Sequence, residues 1–243
     1  GEVLIEVHAA GINNTDINTR SGWYNQAVKT GTETEGAQAG FAVEHADSGD
    51  WGSDIRFPRI QGADVAGTIV AVGSQVDAQR VGERVICDPY FHAPDDTRSL
   101  ESTGFLGAHR DGGFAQFTVV PGRNAITVAK DLALTDAQLA TVPCSGGTAM
   151  NMLLMAGLCD SDRVLVTGAS GGVGSFLVQI ARARGATVIA VCGASKREAV
   201  LALGAHHVVD RAASDPAGAV RACLGGASLT LMADVVGGDA FAP

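Results

Sequence analysis

The run Ala169-Ser170-Gly171-Gly172-Val173-Gly174 sits between a short apolar stretch, RVLVTG (163–168), and an apolar-periodic stretch, GVGSFLVQIARARG (172–185). The spacing is G-x-G-x-x-G with Ala169 in the first place, and it follows a strand pattern and opens a helix pattern. Glycines there let the backbone approach a pyrophosphate. The helix start supplies unpaired N–H groups and a partial positive charge. The plain alternative is a Gly-rich turn that only packs helix on sheet. About twenty residues after such a loop, NAD enzymes carry an acidic residue for the ribose 2′-hydroxyl. Here that place holds Cys192, followed by Gly193, Ala194, Ser195, Lys196 and Arg197. A carboxylate would repel a 2′-phosphate, whereas a hydroxyl and two cations favour one. NADP(H) is therefore the expected cofactor, with Ser195, Lys196 and Arg197 at its phosphate. The alternative for Lys196 and Arg197 is a solvated first turn of helix.

Composition bounds the function. The chain has 243 residues, 46% hydrophobic, enough for one large or two small cores. A net charge of −9 argues against tracking nucleic-acid phosphates. No apolar run approaches the roughly 20 residues of a membrane span, and no signal-peptide pattern opens the chain. Five scattered cysteines without C-x-x-C spacing read as reduced thiols, so a cytoplasmic location is expected. Residue 1 enters directly into a strand pattern and the last residues follow one, which reads as part of a longer protein.

These residues must be positioned by two kinds of element. Residues 1–12, 64–90 and 112–128 hold short β-branched runs punctuated by Gly, the pattern of an all-β barrel or sandwich. Residues 25–56 are polar, Gly-rich and aperiodic, a long inserted loop. Thr135 and Gln138 fit a capping box, and SGGTAMNMLLMAGL (145–158) continues as a helix. From residue 162, strands and helices alternate, which predicts a parallel sheet. Val173, Phe176, Leu177, Ile180 and Ala181 fall on one helix face, with Gly185 as the stop. The expected division is 1–134 for the β-rich catalytic domain, 135–160 for linking helices and 161–243 for the nucleotide-binding domain.

Together AAGINNTD (9–16), RSGWY (20–24), GADVAGTIVAVG (62–73), GERV (82–85), DGGFAQFTVVP (111–121), CSGGTA (144–149), GASGGVG (168–174) and DVVGG (234–238) resemble the medium-chain dehydrogenase/reductase superfamily. The likeness runs through most of the chain. It implies an α/β protein: a GroES-like β-barrel domain, then a Rossmann doubly wound parallel sheet truncated at its C-terminus, with the active site in the cleft between them. It also implies dimers or tetramers. Zinc-bearing members of the superfamily use a Cys, a His and a second Cys. This sequence has Asn13 and Ala63 in the first two places, and only Cys144 has a side chain able to bind zinc. A zinc site needs about three protein ligands, so no metal is expected. His92 and His109 read as solvated loop residues.

What remains is similar to the zinc-independent quinone oxidoreductases and enone reductases, whose signature GINNTDINTRSGWY (11–24) shares through Asn13, Asp16 and Tyr24. Asn18 departs from it. The resemblance implies hydride transfer to a quinone or α,β-unsaturated carbonyl. Such acceptors spread the developing charge, so hydrogen-bond donors suffice where no Lewis acid is present. Asn13 and Tyr24 are the expected donors, Asp16 orients the Asn13 segment, and Thr15 matches a proton-relaying hydroxyl. Thr148 and the backbone of Val236 and Gly237 would pack the nicotinamide. The alternatives are an enoyl-thioester reductase, a zinc alcohol dehydrogenase with substituted ligands, and a non-catalytic NADPH-binding module. For Tyr24 and Asn13 themselves, an aromatic lid and a turn residue are the plain alternatives.

Overall fold

The computed structural model describes residues 1–21, 58–92 and 104–237. Loop 25–56 and Tyr24 therefore lie outside the described residues. The chain divides into two units, Gly1–Cys144 and Ser145–Pro243.

The first unit is built on a five-stranded antiparallel sheet. Its strands are β1 (Glu2–Gly11), β2 (Asp64–Val72), β3 (Arg84–Cys87), β6 (Phe117–Pro121) and β7 (Ala125–Thr127), in the order β6-β1-β2-β3-β7. A small hairpin pairs β4 (Tyr90–Phe91) with β5 (Gly104–Phe105). The alternation expected from the sequence is present: Val3 and Ile5 of β1 point inward with Val65, Ile69, Val85 and Val120, while Glu2 and Glu6 face out. Two register shifts in β1, at Leu4/Ile5 and Val7/Ala9, mark irregularities of the kind that bend and twist a strand. They bring β1 so close to β2 that a Cβ on Gly67 would lie 2.1 Å from the Glu6 carbonyl oxygen. Only glycine fits there. Helix α1 (Asn14–Ser21) follows β1 directly, and α2 (Asp136–Leu139) opens with the Thr135–Gln138 capping box anticipated from the sequence.

The second unit is a parallel sheet of β8 (Arg163–Val166), β9 (Thr187–Cys192), β10 (His207–Asp210) and β11 (Leu231–Ala233), ordered β10-β9-β8-β11. In strand-of-unit terms this is 3-2-1-4, the doubly wound arrangement whose topology reverses between the first and fourth strands. Helix α3 (Pro143–Met155) precedes the sheet. It starts two residues before the expected position because Pro143, which lacks an N–H, suits the first helical place. Helices α4 (Gly172–Ala183), α5 (Arg197–Ala202) and α6 (Pro216–Leu224) cross over between strands. Leu177, Val178 and Ala181 of α4 are buried against Val164, Val166, Val188 and Ala190, with Val173, Phe176 and Ile180 half-buried around them. Among the described residues no helix is long and apolar enough to cross a membrane.

Leu177 is fully buried at the centre of this core. Leu177→Ala is expected to lower stability by about 2–5 kcal/mol, because it removes apolar burial and leaves a cavity. Urea denaturation followed by far-UV circular dichroism measures it.

Candidate functional site

In the first unit the chemistry gathers where β1 ends and β2 begins. Asn13 is the residue before α1. Its backbone N–H donates to Asp16 Oδ2 at 2.9 Å, and its side-chain Nδ2 donates to Asp64 Oδ2, also at 2.9 Å. Asp16, three residues on in the helix, turns Oδ1 to the Gly62 N–H at 3.2 Å. Its own carbonyl accepts from Gln61 Nε2 at 2.7 Å. Asp64, the first residue of β2, places Oδ1 2.6 Å from the Cys144 N–H in the first turn of α3. That N–H has no partner within its own helix, so Asp64 caps α3 from a distant point in sequence.

Asp64 is 1% exposed and Asp16 7%. Neither has an ion pair among the described residues. Burial disfavours their charged forms, which raises both carboxyls above the ordinary range. Asp64 is pushed up to about 6, with the charge of Asp16 adding to the burial effect and the bonds from Asn13 and Cys144 opposing it. For Asp16, burial outweighs the N–H bonds from Asn13, Gly62 and Ala63. The half-buried Cys144 thiol is pushed up to about 12, first by burial and then by these two carboxylates. Thr15 lies half-buried in the same turn of α1 as Asp16.

Of the places at which zinc-bearing relatives supply ligands, one is the Asn13 amide, already bonded to Asp64. The second is Ala63, which has no donor atom, and the third is the half-buried Cys144. Among the described residues no three His, Cys, Asp or Glu side chains are grouped to hold a metal. His109 instead accepts the Phe105 N–H on Nδ1 at 3.0 Å, and His92 stacks on Tyr90.

In the second unit the glycine loop forms the turn from β8 into α4. Gly168 has φ +56°, and an added Cβ would meet Val235 and Val236 side chains within 3.0 Å. A Cβ on Gly174 would lie 2.2 Å from the Gly168 carbonyl oxygen, so helix and loop touch through backbone. Ala169 is fully buried, whereas Ser170, Gly171 and Gly172 are exposed. No side chain caps α4, and its first intrahelical bond is Ser175 N–H to Gly171. The N–H groups of Gly172, Val173 and Gly174 are therefore left without a helical partner, as an anion cradle requires. The buried Ser145 hydroxyl lies beside this cradle, 2.7 Å from where a Gly172 Cβ would be. The sequence reading did not single it out. Thr148 stands half-buried one turn further along α3.

The reversal of the sheet is held by one pair. Thr167 Oγ1 donates to Asp234 Oδ1 across the ends of β8 and β11, and accepts the Val235 N–H at 3.2 Å. Asp234 also takes the Gly237 N–H on Oδ2 at 2.8 Å. This turn fixes the backbone of Val236 and Gly237, and it is why β11 ends at Ala233 rather than continuing through DVVGG.

At the end of β9, Cys192 is buried while Ser195, Lys196 and Arg197 are exposed. Part of the Arg197 guanidinium is engaged, with Nη1 donating to the Val208 carbonyl at 2.5 Å. Two groups absent from the sequence reading stand nearby. Asp210 is the parallel-strand partner of Cys192, and its carboxylate accepts the Ala212 N–H at 3.0 Å. Arg211 donates its backbone N–H to Cys192, and its side chain lies 3.8 Å from where a Gly193 Cβ would be.

Both units match known families. Residues 1–130 match the alcohol dehydrogenase GroES-like domain and residues 172–243 the zinc-binding dehydrogenase family. The chain belongs to the medium-chain dehydrogenase/reductase superfamily. It is 26% identical to an NAD-dependent alcohol dehydrogenase of Sulfolobus acidocaldarius, over 98% of this chain and 64% of that protein. It is 31% identical to the mitochondrial NAD(P)H oxidoreductase RTN4IP1 of Mus musculus, over 86% of this chain and 46% of that protein. A crystal structure from Sinorhizobium meliloti 1021, of a protein named for alcohol dehydrogenase, superposes with a TM-score of 0.84 and 45% identity, covering 99% of this chain and 63% of that one. The chain thus spans about half to two thirds of the length of these relatives.

The raised Asp64 carboxyl has a consequence for stability. Between pH 4 and about 6 the folded chain holds a proton on Asp64 that the unfolded chain has lost. Stability from this group therefore falls as pH rises through that window and is level above it. The stability of Asp64→Asn relative to wild type is expected to rise by about 1–3 kcal/mol from pH 4 to pH 7. Chemical denaturation of both proteins at the two pH values checks it. No change in the difference would mean that Asp64 titrates normally.

Proposed function

We propose that the chain is the core of an NADP(H)-dependent oxidoreductase that reduces a quinone or an α,β-unsaturated carbonyl without a metal. The observation that supports the metal-free part is the Asn13 amide bonded to Asp64, with Ala63 beside it, at two of the places where zinc-bearing relatives keep metal ligands. The reduced nicotinamide would supply hydride. A quinone that receives it and one proton leaves as the hydroquinone, with NADP⁺ as the other product.

The chain's residues divide the work. The N–H groups of Gly172, Val173 and Gly174 would hold the pyrophosphate, with Ser145 beside them. Lys196, Ser195 and Arg211 would hold the 2′-phosphate, with the part of Arg197 not bonded to Val208. The Asp210 carboxylate, which accepts the Ala212 N–H, opposes this. The turn built on Thr167 and Asp234 would set the backbone of Val236 and Gly237 against the nicotinamide, with Thr148 on α3. On the substrate side, Asn13 would donate to the developing oxyanion, worth several kcal/mol when preorganised. Asp16 holds the Asn13 backbone in place. Tyr24 and Thr15 are the proton-donor candidates.

A second reading has one supporting observation. CurK enoyl reductase, of known structure, superposes with a TM-score of 0.70 at 25% identity, and an enoyl thioester is also a conjugated acceptor.

Full-length protein, treated with a strong chelator, is expected to keep consuming NADPH with an ortho-quinone. Loss of turnover on chelation, restored by zinc, would overturn the metal-free reading. Turnover of a crotonyl thioester in place of the quinone would favour the second reading. Lys196→Ala and Arg211→Ala are each expected to weaken NADPH binding about tenfold or more while changing NADH binding little. Equal losses for both cofactors would assign these cations to the solvated surface.

A further inference from the structure

We propose that the Asp234 carboxylate, besides joining the ends of β8 and β11, tilts the bound cofactor toward its oxidised form and so favours departure of hydride from NADPH, an inference that rests on the reading that the Val236 and Gly237 backbone packs against the nicotinamide.

The carboxylate is held from both sides. Thr167 Oγ1 accepts the Val235 N–H at 3.2 Å, which leaves the hydroxyl hydrogen for Asp234 Oδ1. Oδ2 accepts the Gly237 N–H at 2.8 Å, and the Val236 N–H approaches Oδ1 at 3.4 Å. Thr167 is itself tied to β11 by its own N–H, which donates to the Ala233 carbonyl at 3.1 Å. Asp234 and Thr167 are both half-buried, so solvent screens the charge less than it would on an open surface.

Each of these donors is neutral. Among the described residues no Lys, Arg or His forms an ion pair with Asp234. The negative charge is solvated by hydrogen bonds but not cancelled. It lies against the two peptide groups read as facing the nicotinamide, because the N–H groups of both point at it.

The chemistry gives that charge a direction. The dihydronicotinamide ring of NADPH is neutral. When it gives up hydride, both electrons leave with the hydrogen, and the ring of NADP⁺ carries a positive charge. The phosphates of the cofactor keep their charge throughout. A fixed anion near the ring therefore attracts the oxidised form and leaves the reduced form almost unaffected. A field of this kind, in place before the reaction, also lowers the barrier to the charge-forming step. At an effective dielectric of about 20, unit charges about 10 Å apart shift an equilibrium roughly tenfold. The hydrogen bonds alone make no such distinction, since a turn held by a neutral acceptor would meet both rings alike.

Isothermal titration calorimetry on full-length protein gives Kd for NADPH, NADP⁺ and 2′,5′-ADP, which lacks the nicotinamide. Wild type, Asp234→Asn and Thr167→Val are compared, with thermal melting of each. Asp234→Asn removes the charge and keeps an acceptor for Thr167. It loses the bond from Gly237, a loss common to both cofactor forms, so the ratio of the two Kd values reads the charge. NADP⁺ is expected to weaken about tenfold more than NADPH. Thr167→Val keeps the charge and the side-chain shape but loosens the turn. It is expected to weaken both forms equally, with their ratio at the wild-type value. All three proteins are expected to bind 2′,5′-ADP with the same Kd.

Equal losses of NADP⁺ and NADPH in a well-folded Asp234→Asn would overturn the proposal and leave Asp234 a structural tie. A ratio shifted as far by Thr167→Val would overturn it too, because geometry would then set the preference. If Asp234→Asn melts far below wild type, Asp234→Ser, smaller and also neutral, carries the same ratio test. Unchanged binding of both forms in both variants is a distinct result: it would remove the reading that this turn faces the nicotinamide, and the proposal with it.

Discussion

Two buried carboxylates, Asp16 and Asp64, with no ion pair among the described residues, organise the first unit. Asp16 and Asp64 together take N–H groups from Asn13, Gly62 and Cys144, and so tie the start of α1, the entry to β2 and the first turn of α3. Each tie satisfies a backbone or amide donor that would otherwise be buried unpaired. The surroundings yield to make room for them. A Cβ on Gly11 would lie 2.2 Å from the Ala140 carbonyl oxygen and 3.0 Å from Asp64 Cβ, so β1 must end in glycine for Asp64 to sit where it does. Removal of either carboxylate would free a backbone segment as well as a side chain.

The second unit solves a different problem. Its sheet needs a place where helices leave to opposite sides, and there the strand ends part and expose backbone. The Thr167–Asp234 pair closes that gap between β8 and β11. Gly168 lets Val235 and Val236 pack over the loop, and Gly174 lets α4 start against it. The same contacts that complete the fold leave the N–H groups of Gly172, Val173 and Gly174 without a helical partner. An anion site at this position is a by-product of how a doubly wound sheet reverses.

Much of this was legible in the sequence, for local reasons. The Thr135–Gln138 cap depends on residues three apart. The glycine loop depends on seven consecutive residues between two apolar patterns. The inward face of α4 depends on a repeat within one helix. The groups that escaped notice depend on register or on distant pairing. Asp64 opens an apolar run, GADVAGTIVAVG, and nothing in that run says that Asn13 lies opposite it. Asp210 matters because it is paired with Cys192, and that pairing is set by parallel strands eighteen residues apart in sequence. Ser145 sits beside Gly172 only because α3 and α4 pack. Arg197, grouped with Lys196 by adjacency, has its guanidinium turned to Val208, since neighbours on a helix point in different directions.

The sign of the field around Asn13 bears on what can react there. An alcohol or simple ketone would put a full negative charge on one oxygen in the transition state. Beside two carboxylates and a neutral thiol, with no cation among the described residues near them, that charge would be disfavoured by Coulomb repulsion in a poorly screened site. A metal ion would reverse the sign. A conjugated acceptor escapes the difficulty differently. Hydride enters at carbon and the charge is shared along the π system, so little of it need rest on the atom nearest Asp64. On the proposed reading, buried acidity and an unsaturated acceptor are two aspects of one constraint: carboxylates with no cation near them among the described residues favour substrates that do not concentrate negative charge.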